Sequence, residues 1–193
     1  MTEGLISELL ARSAETKQRC AESCGLAAEQ AALLIADKLK AGGKLLLCGN
    51  GGSAADAQHL AAEFVATLDH QNPRPGMSAL ALTTDTSFIT AYSNDFGFEG
   101  IFARQIQALG HAGGVVVGIS TSGNSKNVIA ALKAARDKQI ATIAMTGETG
   151  GKMTYLADIL LNVPSAVTMH IQECHIALGH AITARVEQLM DLS

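Results

Sequence analysis

Cys48-Gly49-Asn50-Gly51-Gly52-Ser53 follows the apolar run Lys44-Leu45-Leu46-Leu47 and leads into Ala54 to Glu63. Gly42-Gly43 stop the helix ahead of it. The order reads as a buried strand, a glycine-rich turn and a helix starting near Ser53. Such a turn aims backbone N–H groups and the positive end of a helix at one spot, which suits phosphate. The glycines permit positive φ and let an anion come close to the backbone. The plainer alternative is a tight strand-to-helix turn with no ligand, because such turns are common in α/β folds. Further along the helix, His59 and Glu63 are spaced i, i+4 and share one face. They can hold one metal, or act as an acid/base pair beside the phosphate. A surface pair with no further role is the alternative.

Outward from this stretch the chain alternates. Strands are expected at 44–48, 79–82, 114–119, 140–145 and 159–163. Helices are expected at about 53–68, 99–109, 125–137 and 166–189. This pattern predicts an α/β fold with a three-layer, doubly wound, parallel five-stranded sheet. Ligands in that class sit at the carboxyl ends of the strands, near the point where strand order reverses. Two amphipathic helices, at about 3–24 and 26–40, precede the first strand. They are more than a minimal unit needs, and we expect residues 1–41 to pack on a neighbouring subunit. Residues 69–75 read as a loop. Asp85 is a candidate N-cap. Asn94-Asp95-Phe96-Gly97-Phe98 reads as a polar turn with aromatic flanks.

A chain of 193 residues fits one domain. With 48% apolar and only 4% aromatic residues, alanine, leucine and glycine must do the packing. The formal charge of −4 argues against a general nucleic-acid surface. Cys20, Cys24, Cys48 and Cys174 form no C-x-x-C motif. They read as small buried hydrophobes of a reducing compartment, with a Cys20/Cys24 metal pair as the alternative. The N-terminus lacks a basic-then-apolar signal pattern, and no apolar run reaches spanning length. A cytoplasmic protein with no membrane partner is expected.

Two more clusters carry chemistry. Ser120-Thr121-Ser122-Gly123-Asn124-Ser125 ends a strand and opens a helix. Capping needs one hydroxyl, and four in six positions suit an anion. No lysine follows in a Walker pattern, so a monophosphate on a small organic molecule is expected. On the last helix stand Gln172, His175 and His180. Gln172 and His180 are about 12 Å apart along the axis and roughly 80° apart around it. They reach one ion only by leaning together; otherwise they serve sites shared between chains. A phosphate cradle, a carboxylate and histidines, with no redox or nucleotide motif, suit moving a proton between C1 and C2 of a sugar phosphate.

The succession CGNGGS, H-x-x-x-E, NDFGF, STSGNS, TGxxGGK-M and IQE-x-H…H, from about Gly42 to Val186, resembles the phosphoheptose isomerase branch of the sugar isomerase (SIS) fold family. The resemblance implies a homotetramer with active sites between subunits, acting on sedoheptulose 7-phosphate for heptose nucleotide and lipopolysaccharide core synthesis. It implies one zinc per subunit, bound by His59, Glu63, Gln172 and His180. It implies Glu63 as base and His180 as acid. Phosphate would be held by Ser53, Ser120, Thr121, Ser122 and Ser125, and sugar by Asn50, Gly51, Gly52, Asn94, Asp95 and Gln172. Two departures stand out. No arginine follows Glu63 until Arg74, and Met169-His170 precede Ile171 where the family usually has an arginine. The alternatives are an isomerase of another sugar phosphate and a non-catalytic binding module, like the tetrameric relative that associates with the replication initiator. Both Glu63 and His180 are retained, which favours the enzyme.

Overall fold

Apolar runs too short for helices become strands, and each is followed by a helix that covers it. The computed structural model describes residues 4–190. It contains α1 (Leu5–Lys40), β1 (Leu45–Gly49), α2 (Gly52–Val65), β2 (Ala79–Ala81), α3 (Thr86–Phe96), α4 (Ile101–Leu109), β3 (Val115–Ile119), α5 (Lys126–Asp137), β4 (Ala141–Thr146), β5 (Ile159–Asn162) and α6 (Thr168–Met190). Every strand pairing is parallel, in the order β2-β1-β3-β4-β5. Alternate side chains divide between two cores, as the pleat requires. Leu45, Leu47, Val115, Val117, Ile143 and Met145 face α1, α2 and α6. Leu46, Cys48, Val116 and Ala144 face α4 and α5. All five residues of β1 and of β3 are buried. This is the expected three-layer doubly wound sheet.

Two expectations are corrected. The N-terminal region is one 36-residue helix and not two; residue 3 lies outside the described residues. Gly25 sits in mid-helix with open space around it. A glycine there costs about 1 kcal/mol relative to alanine. That is too little to break a helix whose buried stripe runs from Cys20 and Cys24 on to Ala31, Ala32, Ile35 and Ala36. The second correction concerns Asn94 and Asp95, which belong to α3 and not to a turn. Phe88, Tyr92 and Phe96 recur every four residues and stack, with ring centroids 5.4 and 5.0 Å apart. Such pairs add about 0.5–1.5 kcal/mol each and carry the helix through the polar pair to Gly97, whose φ is 88°. Asp85 caps α3 as expected, accepting from the Phe88 amide at 2.9 Å. The other element ends differ from expectation by up to three residues.

Candidate active site

From β1 the chain crosses to β2 on one side, while β3 docks on the other. The strand order therefore reverses between β1 and β3, and the loops that leave these two strands face each other there. Their junction is a reciprocal amide pair. Asn50 donates to Asn127 at 2.9 Å and Asn127 donates to Asn50 at 2.8 Å. The Asn127 side chain also accepts from the Val128 amide at 3.0 Å. Gly51 takes φ 55°, a conformation that suits glycine, and α2 begins at Gly52. A side chain at Gly52 would collide with the Gln172 amide, so α6 closes directly over the start of α2.

The loop after β3 gathers hydroxyls. Ser120 Oγ lies 2.8 Å from Ser125 Oγ and 3.4 Å from Ser122 Oγ. Ser122 Oγ accepts from the Asn124 amide at 3.2 Å. The Thr121 carbonyl accepts from the Gly147 amide at 2.9 Å, which fastens this loop to the one after β4. Gly123 (φ 63°) has no room for a Cβ, because the Gly150 carbonyl lies against it. Ser53 and Ser120 are buried. Three serine hydroxyls within hydrogen-bond reach, at the N-terminal end of a 12-residue helix, are placed where they could donate to an anion such as phosphate.

The second half of the site lies two turns along α2. His59 Nε2 is 2.8 Å from His180 Nε2 and 3.3 Å from Glu63 Oε1. The rings meet edge to face, with centroids 5.0 Å apart. One donor atom from each of His59, Glu63 and His180 falls within 4.8 Å of the others. Two imidazole nitrogens at 2.8 Å share one proton or one cation; two protons between them would repel. Zinc takes imidazole nitrogen and carboxylate oxygen at about 2.0–2.2 Å, which spaces tetrahedral ligands about 3.4 Å apart. The three donors fit such an ion with little movement. Glu63 Oε2 is buried and has no partner. Of the expected residues, Gln172 is placed at Gly52, beside the phosphate loops. The Asn94 side chain donates to Asp95 at 2.8 Å on the exposed face of α3.

Some polar residues here were not among the expected ones. Asp56 lies one turn before His59 and is buried, with Oδ2 unpartnered. Burial pushes its carboxyl up to about 6, against a smaller opposing pull from His59. Asn127 was legible only as a polar residue in the first turn of a helix. Arg74 comes from the loop after α2 and donates to the Glu63 carbonyl at 2.7 Å. His175 is fully buried, and its Nε2 donates to the Thr146 carbonyl at 3.1 Å. Burial lowers its pKa to about 4, partly opposed by that bond. It pins α6 to β4 as a neutral ring and is not part of the cluster.

Known proteins share this fold. A SIS domain family model matches residues 9–147, so the chain carries a SIS domain. The phosphoheptose isomerase of Roseiflexus sp. (strain RS-1) is 49% identical over 189 residues, 98% of this chain and 94% of the relative. That of Aquifex aeolicus (strain VF5) is 50% identical over 96% of each chain. Among solved structures, phosphoheptose isomerase GmhA from Neisseria gonorrhoeae superposes with a TM-score of 0.89 at 47% identity, over 95% of this chain and 97% of that one. A phosphoheptose isomerase from Francisella tularensis gives 0.91 at 36% identity, over 95% and 96%. Within the SIS domains, the chain belongs to the phosphoheptose isomerase family.

Proposed function

We propose that the chain is an aldose–ketose isomerase that converts sedoheptulose 7-phosphate to D-glycero-D-manno-heptose 7-phosphate, supplying heptose for lipopolysaccharide core or related glycans. The observation that carries this reading is the convergence of His59, Glu63 and His180 on one helix pair, about 10 Å along α2 from a phosphate loop. The open seven-carbon substrate has its reacting carbons at one end and its phosphate at the other. Ser53, Ser120, Thr121, Ser122 and Ser125 hold the phosphate. Asn50, Gly51, Gly52, Asn94, Asp95 and Gln172 hold the sugar. Glu63 takes the proton from the carbon beside the carbonyl, leaving an enediol, and returns it to the neighbouring carbon. Its Oε2, unpartnered, is free for this while Oε1 faces the rings. His180 gives a proton to the carbonyl oxygen and takes one back from the hydroxyl.

His59, Glu63 and His180 would hold a zinc ion, with Gln172 as the fourth ligand that the family resemblance adds. When bound, zinc supplies positive charge that stabilises oxygen anion character in the enediol. The His59 side chain is half exposed, whereas enediol chemistry needs water excluded. A second copy of the chain is therefore assigned as the cover, in a homotetramer with sites between subunits. The exposed Leu5, Ile6, Leu10 and Leu26 of α1 are apolar surface available for that assembly. A reducing, cytoplasmic setting suits the four free cysteines. None of the described helices is long and apolar enough to cross a membrane.

The test is turnover of sedoheptulose 7-phosphate followed by NMR, for the wild type and for Glu63→Gln. The expected result is aldose from the wild type and a loss of about 10²–10⁴-fold in Glu63→Gln, with inorganic phosphate bound as before. Turnover retained in Glu63→Gln removes it as the base. Phosphate binding without turnover by the wild type points to another sugar phosphate or to a binding module.

A further inference from the structure

We propose that Arg74 is a positioning residue of the candidate active site, setting the spacing between Glu63 on α2 and His180 on α6; this rests on reading that cluster as the reacting, metal-holding group. The Arg74 side chain is only 4% exposed. One terminal nitrogen donates to the Glu63 carbonyl at 2.7 Å. The other donates to the carbonyls of Phe64 at 3.0 Å, Ala66 at 3.4 Å and Pro75 at 3.0 Å. The carbonyls at the end of α2 are those that a helix leaves without intrahelical donors. A cation there also meets the negative end of the helix. The remaining donor, Nε, reaches Glu187 Oε1 on α6 at 2.6 Å. The same carboxylate oxygen accepts from the Leu68 amide at 3.1 Å. Glu187 lies two turns beyond His180 on α6.

One buried guanidinium thus grips the backbone of the proposed base and ties it to the helix that carries the proposed acid. His59, Glu63 and His180 come from these two helices alone, so their mutual distances depend on how α2 and α6 are held. A lysine has no planar fork and cannot serve the carbonyls and the carboxylate together. Without Arg74 the Glu63 and Ala66 carbonyls lose this side-chain donor, although the Phe64 carbonyl still accepts from the Met77 amide at 3.0 Å, and the Glu63 carboxylate moves off the ring nitrogens. The phosphate loops, at the opposite end of α2, stay as they are.

The experiment compares wild type, Arg74→Lys and Arg74→Ala by titration of the metal-stripped proteins with Co²⁺, read by visible absorption. Inorganic phosphate affinity and far-UV circular dichroism are measured on the same samples. Arg74→Ala is expected to weaken Co²⁺ binding at least tenfold and to dim the tetrahedral band. Arg74→Lys should fall between. Phosphate affinity should stay within twofold, and turnover should show loss in kcat more than a rise in KM. Arg74→Ala with wild-type Co²⁺ affinity and spectrum overturns the proposal alone. A wild type that binds no Co²⁺ overturns it together with the reading of the cluster. If Arg74→Ala fails to fold, Glu187→Gln serves in its place: it keeps the guanidinium and weakens its tie to α6. A Co²⁺ spectrum and affinity unchanged in Glu187→Gln and Arg74→Lys then also overturns the proposal.

Discussion

His175 and Ser120 show how differently two buried polar side chains serve this molecule. His175 is held neutral, its pKa lowered by burial to about 4 from an ordinary 6.5. The unfolded chain therefore takes up this proton before the folded one does. Its contribution to stability is complete above about pH 6.5, declines as the pH falls toward 4 and levels off below. Asp56, whose carboxyl burial raises to about 6, changes stability in the opposite sense over the same range. The His175 part is therefore read as the difference between wild type and His175→Gln. Urea unfolding at pH 7 and pH 5 should show the wild type losing about 2 kcal/mol relative to the variant. Ser120 is assigned instead to the proposed ligand. Its hydroxyl meets those of Ser125 and Ser122 in the proposed phosphate site. Ser120→Ala is expected to raise KM for the sugar phosphate more than it lowers kcat, because a phosphate contact is made in ground and transition states alike. Steady-state kinetics with sedoheptulose 7-phosphate checks this; an unchanged KM removes Ser120 from the phosphate site. The hydroxyl-rich motif Ser120 to Ser125 stood out in sequence. Arg74 did not, because its partners are backbone carbonyls and a glutamate 113 residues away.

At the scale of elements, α1 is held by burial rather than by propensity. It lies along α6, with Cys20, Cys24, Ala31, Ala32, Ile35 and Ala36 in the core. Gly25 faces outward with nothing within 4 Å of a Cβ. Gly25→Ala should therefore stabilise the fold by about 0.5–1 kcal/mol, measured as a higher midpoint in urea with an unchanged m-value. The sequence places a glycine there and invites a break; only the partner helix shows why none occurs. The strands were legible for the opposite reason. Runs such as Val115–Ile119 are buried on both faces, so composition alone marks them. Asn94 and Asp95 misled because two polar residues before a glycine look like a turn, while the Phe88–Tyr92–Phe96 stack that keeps them helical works four residues apart.

At the scale of the whole molecule, the proposed assembly shares the site between surfaces that one chain leaves uncovered. Leu26 is 75% exposed on α1, and Phe96 is 75% exposed close to the Asn50–Asn127 junction. Light scattering on the purified protein is expected to give about four times the 20.0 kDa of the chain. Leu26→Asp should shift that mass downward; a wild-type monomer that turns over at full rate would remove the tetramer from the proposal. The doubly wound arrangement was readable from the strand–helix alternation. The direction in which α1 packs, and the placing of His59 against His180 across 121 residues, depended on tertiary contact.

The pairing of β1 with β3 has one more consequence, for the order in which the molecule comes into being. Leu45 sits beside Val115 and Gly49 beside Ile119, so seventy residues of chain must be threaded before the central seam can close. Contacts so far apart in sequence form slowly. The loops proposed to bind phosphate leave the two sides of this seam. In the proposed site Ser53 follows β1 and Ser120, Ser122 and Ser125 follow β3, so the full set of hydroxyls comes together only once this seam has closed. A sugar phosphate bound by the full set would favour finished molecules, drawing the population toward them by mass action. The metabolite the protein consumes would double as a selective stabiliser of correctly assembled copies.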